Sequence, residues 1–215
     1  MNKILSILVL VLVSFNQLSF AQVDDAKARK ILEKVAEKAK SFKNMKFEFT
    51  YRMIDKAHKV DNQLAGSIVM QGDKYNLHIM GSNIISDGKT LWNYNPDAEE
   101  IQISNADESK DAFSFLKVIT SIDESHKAKY IKTVKEKGKE FYIIDLVPVS
   151  GKSYYKVRLK ISKADNWIVE AKIFEKDNVE YVFTVVKFSA NLTIPATYFT
   201  LDTAKYPDAD VVDLR

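Results

Sequence analysis

Cysteine is missing from all 215 residues, which excludes disulfide staples, thiolate nucleophiles and cysteine-ligated metals. A lipid-attachment cysteine is excluded with them. Histidine is scarce: the intervals between His58, His78 and His126 match no zinc motif, so no metal and no cofactor is expected. Six glycines and four prolines leave no phosphate-cradling loop, no Gly-x-Ser-x-Gly elbow and no flexible linker. Ser86-Asp87 has no histidine placed by a recognisable motif. Glu99 and Glu100 are neighbours on a strand and point to opposite faces, which is the wrong geometry for an acid/base pair. No catalysis is expected. Nor does one sign of charge dominate, since a net charge of +3 at pH 7 is too small to argue for nucleic acid. Lysines do gather between residues 127 and 163, interleaved with Tyr130, Tyr142, Tyr154 and Tyr155. They alternate with apolar residues at strand spacing, which is the pattern of a solvated outer sheet face.

One long apolar run occurs, over residues 4–13, preceded by Met-Asn-Lys and followed by Ser14, Asn16 and Gln17. A membrane span needs about 18 to 20 consecutive apolar residues, and the polar interruption comes too early. Ser19-Phe20-Ala21 ahead of Gln22 supplies small residues at a cleavage site. Residues 1–21 are therefore expected to be a secretory signal peptide, and residues 22–215 a single exported domain beginning at Gln22.

Within that domain two periodicities follow one another. Over residues 24–42 the apolar positions Ala28, Ile31, Leu32, Val35, Ala39 and Phe42 recur every three or four residues, the stripe of an amphipathic helix. Asp24 and Asp25 stand at its start and Lys38, Lys40 and Lys43 near its end, as the helix dipole favours. After it the period drops to two: Phe47, Phe49, Tyr51 and Met53 alternate with Lys46, Glu48, Thr50 and Arg52. Further strands are expected over 64–71, 75–79, 84–86, 90–94 and 99–104, separated by Gly72-Asp73, Gly81, Asp87-Gly88 and Asn95-Pro96-Asp97. The apolar residues of 111–122 are too dense for a solvated helix and predict a short buried one. Alternation returns over 130–137, 140–147, 154–162, 167–174 and 179–190. The expected fold class is mainly β: an incomplete antiparallel barrel whose apolar concave face is covered by the N-terminal helix and the short helical segment.

Phe47, Phe49, Tyr51, Met53, Ile68, Met70, Tyr75, Leu77 and Ile79 fall on one face of the first three strands. Two short helices are little cover for so wide a sheet, so a residual apolar cavity is expected there. Methionines such as Met53, Met70 and Met80 beside aromatics suit a surface that repacks around variable partners.

The stretch Ile84-Ile85-Ser86-Asp87-Gly88-Lys89-Thr90-Leu91-Trp92-Asn93-Tyr94-Asn95-Pro96 resembles the signature hairpin of the LolA family of outer-membrane lipoprotein carriers. Phe47-Glu48-Phe49-Thr50 and Leu64-x-Gly66 extend the likeness. So do Ala196-Thr197-Tyr198-Phe199-Thr200-Leu201, similar to the family's closing strand, and Pro207-Asp208-Ala209-Asp210-Val211-Val212-Asp213, similar to its tail. The resemblance implies a half-barrel carrier that shelters the acyl chains of lipoproteins in the periplasm, acting as a monomer. It takes them from an ABC-type release complex of the inner membrane and passes them to an acceptor at the outer membrane. By position, Tyr75 falls where the family lines its cavity mouth, and Trp92 and Tyr94 match its hairpin aromatics, so the resemblance adds both to the expected acyl-chain cavity. Phe113, Phe115, Leu116 and Ile119 would form part of the lid. Members of the best-known branch carry an Arg-Pro pair after the second strand, the arginine latching that lid; here the stretch is Gln71-Gly72-Asp73-Lys74, and Arg52 is the nearby substitute. A carrier of another amphiphile (a pigment, glycolipid or fatty acid) and a lipid-sensing periplasmic domain are the alternatives the same scaffold allows.

Overall fold

A computed structural model describes residues 18–106 and 125–215. The expected short helix over 111–122, with Phe113, Phe115, Leu116 and Ile119, lies outside the described residues, as do the first 17 residues of the expected signal peptide. Helix α1 runs Leu18–Lys40, starting six residues earlier than the apolar stripe requires, so Asp24 and Asp25 sit inside it. Its buried stripe is the expected one: Ala28, Ile31, Leu32, Val35 and Ala39. Lys38 and Lys40 occupy its last turn, where a cation meets the negative end of the helix dipole.

Among the described residues twelve strands follow: β1 (Met45–Asp55), β2 (Val60–Gln71), β3 (Lys74–Ile79), β4 (Ser82–Ser86), β5 (Thr90–Asn95), β6 (Glu100–Asn105), β7 (His126–Glu136), β8 (Lys139–Pro148), β9 (Tyr154–Ser162), β10 (Trp167–Glu175), β11 (Val179–Ala190) and β12 (Asp210–Asp213). They form one sheet in the order β12-β6-β5-β4-β3-β2-β1-β11-β10-β9-β8-β7. The sheet is open, since β12 and β7 stand at opposite edges. It consists of two meanders, β1 to β6 and β7 to β11, joined where β1 pairs with β11 along its whole length. The turns from β2 to β6 are those the sequence announces, whereas β2 starts at Val60, four residues before the expected strand, after a turn over 56–59 that the sequence does not announce. At Asp87-Gly88 the aspartate carboxylate accepts the Lys89 and Thr90 amides at 2.8 Å each, and Gly88 takes a φ of 93°, which a side chain would resist.

Cross-strand registers put the apolar residues of both meanders on one side. One row reads Tyr130, Ile144, Leu159, Ala171, Phe183, Tyr51, Leu64; another reads Phe188, Phe47, Ile68, Leu77, Ile84. Together with the α1 stripe all of these except Leu64 belong to the main core or pack against it. The helix lies against β7 and β10, so among the described residues it is the β7 to β11 half that carries helical cover.

The other side of β3 to β6 is covered too, by the C-terminal segment. Residues Ala196–Phe199 form a 3-10 turn, not the closing strand that the resemblance implies. Pro195, at a φ of −69°, starts the turn and has no amide hydrogen for a ladder, and buried Phe199 anchors it. The chain then brings Leu201, Tyr206 and Ala209 onto Ile85, Ile101, Ile103, Trp92 and Tyr94 as a second, smaller core. It ends in β12, paired parallel to β6.

Candidate functional site: the apolar face of the open sheet

The eleven apolar site residues expected from sequence separate into three groups. Phe47, Phe49, Ile68, Met70 and Leu77 are buried on the inner face, where they act as core. Tyr51, Met53, Tyr75 and Ile79 share that face and remain partly accessible. Trp92 and Tyr94 are not brought there. In the register of the β4–β5 hairpin Leu91 and Asn93 oppose Ser86 and Ile84, whereas Trp92 opposes Ile85 and Tyr94 opposes Asn83. Strict alternation therefore turns both aromatics outward, and Tyr94 packs against Tyr206 at 4.5 Å between ring centres. They belong to the second core, and we remove them from the site.

Arg52 is also placed away from it. Lying between Tyr51 and Met53, it faces outward, and its guanidinium grips the carboxylate of Asp61 through two nitrogens, Nε at 2.6 Å from Oδ1. The latch role suggested for Arg52 is not carried forward. Two residues that the sequence reading passed over join the accessible inner group. Leu64 lies opposite Tyr51 and Tyr181 opposite Met53. Tyr181 stood inside an expected strand, but its face follows only from the β1–β11 register, which a distant pairing sets.

Aromatic rings pack into two clusters on this face. Tyr51 stacks on Tyr181 with ring centres 5.7 Å apart and planes 15° from parallel, and leans on Phe183 at 4.9 Å. At the end of the row Trp167 stacks on Phe47 at 5.9 Å, between Phe42 and Phe188. Gly66 lies within the wall because nothing larger fits. A Cβ there would come within 2.7 Å of the Phe49 ring and 3.0 Å of the His78 carbonyl. The wall is electrically quiet. Burial, helped by the neighbouring Tyr181 phenol, pushes the Tyr51 hydroxyl up to about 12, so it stays neutral at any physiological pH.

Tyr181 is likewise pushed up, by burial and by the charges of Glu175, Asp177 and Asp55, and outside the wall two histidines shift in opposite senses. His58, in the β1–β2 turn, hydrogen-bonds Asp55 through Nδ1 at 2.6 Å; that bond and the carboxylate charge raise it above its ordinary 6.5. His78, on the outward side of β3, is held below 6.5 by burial and by the Lys46 charge. An NMR titration is expected to show His58 losing its proton at higher pH than His78; the reverse order would contradict both contacts. The signs of their stability effects differ. His58 favours the folded state below pH 6.5, and that contribution fades as pH climbs through its raised value. His78 resists protonation when folded, so its effect is a loss of stability as pH falls below 6.5.

Among the described residues no group of three or more metal-ligating side chains comes together. No helix among them is long and apolar enough to cross a membrane. What the geometry provides is an accessible, uncharged, aromatic-rich wall on one side of an unclosed sheet, continuous with a packed core. That arrangement defines a class of open, unclosed sheets with one apolar face.

Within that class, the chain belongs to the LolA family: the family model described as "Outer membrane lipoprotein carrier protein LolA" matches residues 37–202. A relative from Edwardsiella ictaluri, described as an outer-membrane lipoprotein carrier protein, is 31% identical over 134 residues, which span 61% of this chain and 62% of that protein. Among solved structures, an uncharacterized conserved protein from Thermus thermophilus superposes with a TM-score of 0.60 at 14% identity, covering 87% of this chain and 99% of its own. A LolA superfamily protein from Nitrosomonas europaea gives a TM-score of 0.45 at 13% identity, over 81% and 97% of the two chains.

Proposed function

We propose that this protein carries the acyl chains of lipid-modified proteins against the inner face of its sheet. In this reading it works in the periplasm as a monomer, exported with residues 1–21 removed. It receives cargo from an ABC-type release complex and surrenders it to an outer-membrane acceptor. The observation that supports the reading is the set of partly accessible residues on the inner face, Tyr51, Met53, Leu64, Ile79 and Tyr181 on one side of the buried row through Phe47, Ile68 and Leu77 and Tyr75 on the other. Apolar side chains left partly uncovered in the middle of a core-forming surface gain by accepting an apolar guest.

The physical need for such a guest site is large. Burying a methylene contributes about 0.8 kcal/mol, so a sixteen-carbon chain costs on the order of 12 kcal/mol to expose to water. A carrier's wall offsets that cost. The absence of charge along this one avoids the opposing penalty of covering ions with hydrocarbon.

The test uses Trp167, which is buried on the inner side, in a Trp92→Phe background that silences the outward tryptophan. Titration with an acylated lipoprotein peptide is expected to shift Trp167 emission and saturate, and the same peptide without acyl chains to leave it unchanged. Equal responses to both peptides would overturn the acyl-chain reading. Mass spectrometry of what co-purifies from the native host distinguishes cargoes: acylated peptides support lipoprotein carriage, and one homogeneous small amphiphile replaces it with carriage of that molecule.

A further inference from the structure

The lysines beyond residue 127 take no part in the inner wall, and their arrangement is not that of an evenly balanced surface. In the β7–β8 hairpin Lys127, Lys129, Lys132, Lys135, Lys137 and Lys139 are all exposed. Among the described residues none of the six has a carboxylate within ion-pair distance. The acids that stand beside them are already engaged. Asp145, opposite Lys129 in register, is gripped by Arg158 at 2.7 and 2.8 Å. Glu136 is bonded to Lys160 at 2.6 Å and Glu140 to Lys163 at 3.0 Å.

Local backbone geometry gathers the charges further. Strict alternation from Lys127 and Lys129 would turn Lys132 to the inner face. The register slips between Tyr130 and Lys132, leaving Ile131 as the extra residue of a bulge, and Lys132 stays outward with the other two. β7 is the last strand of the sheet, so these cations lie along an edge that no other described strand covers; Lys139, opposite Glu136, shares the outward face with Lys132, whereas Lys135, opposite Glu140, falls on the inner one. At one end of it Val147, paired with Lys127, Val149 and Tyr155 are 43%, 59% and 49% exposed.

We propose that the β7–β8 hairpin is a docking surface for an anionic lipid bilayer. The unneutralised charge on it calls for a negative partner. An eleven-residue strand extends about 35 Å at ~3.4 Å per residue, which is a footprint for an extended surface and far too long for a single phosphate or small anion. The kind of cation matters as well. Arginine, whose fork fits a fixed carboxylate, is used elsewhere on this sheet for that purpose: Arg52 on Asp61 and Arg158 on Asp145. The open row is all lysine, hydrated point charges that suit headgroups which diffuse laterally and present no fixed geometry. Val147, Val149 and Tyr155 then supply modest apolar contact at the interface. Lysines on an edge strand also discourage pairing with other sheets, but that task does not require six of them with every neighbouring acid turned away. The proposal does not depend on the acyl-chain reading, because the lysines and the inner wall occupy different parts of the sheet.

Sedimentation of the full chain with large unilamellar vesicles tests it. Vesicles containing phosphatidylglycerol are expected to bind the protein, and pure phosphatidylcholine vesicles to leave it in the supernatant. Each lysine near an anionic surface contributes a factor of about five. The variant Lys127→Gln/Lys129→Gln/Lys132→Gln/Lys139→Gln, which removes the outward-facing charges, is therefore expected to lose about a hundredfold or more in partition coefficient, with its melting temperature retained since all four side chains are exposed. The same four positions changed to Arg keep the charge and retain binding. Screening by added salt weakens binding by the wild-type chain. Equal partition onto neutral vesicles, or full binding by the glutamine variant, overturns the proposal. So does failure to bind anionic vesicles while binding soluble polyglutamate, which would assign the face to an acidic polypeptide. The variant Tyr75→Glu, altered only on the inner wall, still docks; loss of docking there would mean that vesicle lipid enters the acyl site and that the lysines are not the anchor.

Discussion

Leu77→Ala is expected to lower the stability of the fold by about 3 kcal/mol, within the range for deleting a buried leucine side chain. Leu77 has no exposed surface and lies between Ile68 and Ile84 in the row that begins at Phe188 and Phe47. The loss combines the transfer energy of the removed carbons with the hole they leave, because neighbours fixed by two ladders relax only in part. Urea unfolding measures it as a shift in midpoint at unchanged slope. A cost below about 1 kcal/mol would mean that this part of the wall is loosely filled and belongs with the accessible group.

The second large effect concerns binding. Tyr75→Glu is expected to weaken the acylated peptide by about a hundredfold or more, since a carboxylate covered by hydrocarbon without a partner is expensive. The fold itself is expected to tolerate the change, because Tyr75 is only partly buried at its place between Met70 and Ser86 and the free protein leaves the new carboxylate access to water. Melting temperature and peptide affinity are measured on one preparation. Should Tyr75→Glu melt far lower while its folded fraction binds as before, Tyr75 is core and the acyl-chain site lies elsewhere on the sheet. Leu77 and Tyr75 differ by two positions on one strand and share a face; opposite outcomes for them separate what supports the wall from what the wall offers.

How much of this could be read from the residues depended on whether the information was local. Helix α1 and its stripe, the alternation in β1, and the Asp87-Gly88 turn are properties of short windows, and the structure has them nearly where the periodicities place them. The inner face of β1 to β3 was equally legible, because period two fixes sides once a strand is recognised. Trp92 and Tyr94 show where a likeness outran the arithmetic. Counting two by two from Leu91 would have turned them outward, yet their match to the family's hairpin aromatics drew them into the cavity. Arg52 was misjudged for a similar reason: its neighbours Tyr51 and Met53 face inward, so Arg52 cannot. Tyr181 and Leu64 were out of reach, since their place in the site depends on which strands lie beside β1. The bulge at Ile131 was hidden as well; no glycine marks it, and only the register with β8 reveals it.

The seam between β1 and β11 also governs the order in which the sheet can form. Every other antiparallel ladder joins strands consecutive in the chain, so each meander can zip up hairpin by hairpin, closing short loops at small entropic cost. The seam instead brings Met45–Asp55 against Val179–Ala190 and must close a loop containing most of the domain before it returns any contact energy. Topology therefore makes it the step expected to be slow, and a chain in which it has not formed would present bare central edges to solvent and to other copies. Substitutions within the hairpins should act chiefly on how fast the finished protein comes apart. Those along the seam, among them changes at Tyr51 and Tyr181 that bear on binding, should decide whether a newly made chain finishes its sheet before it aggregates.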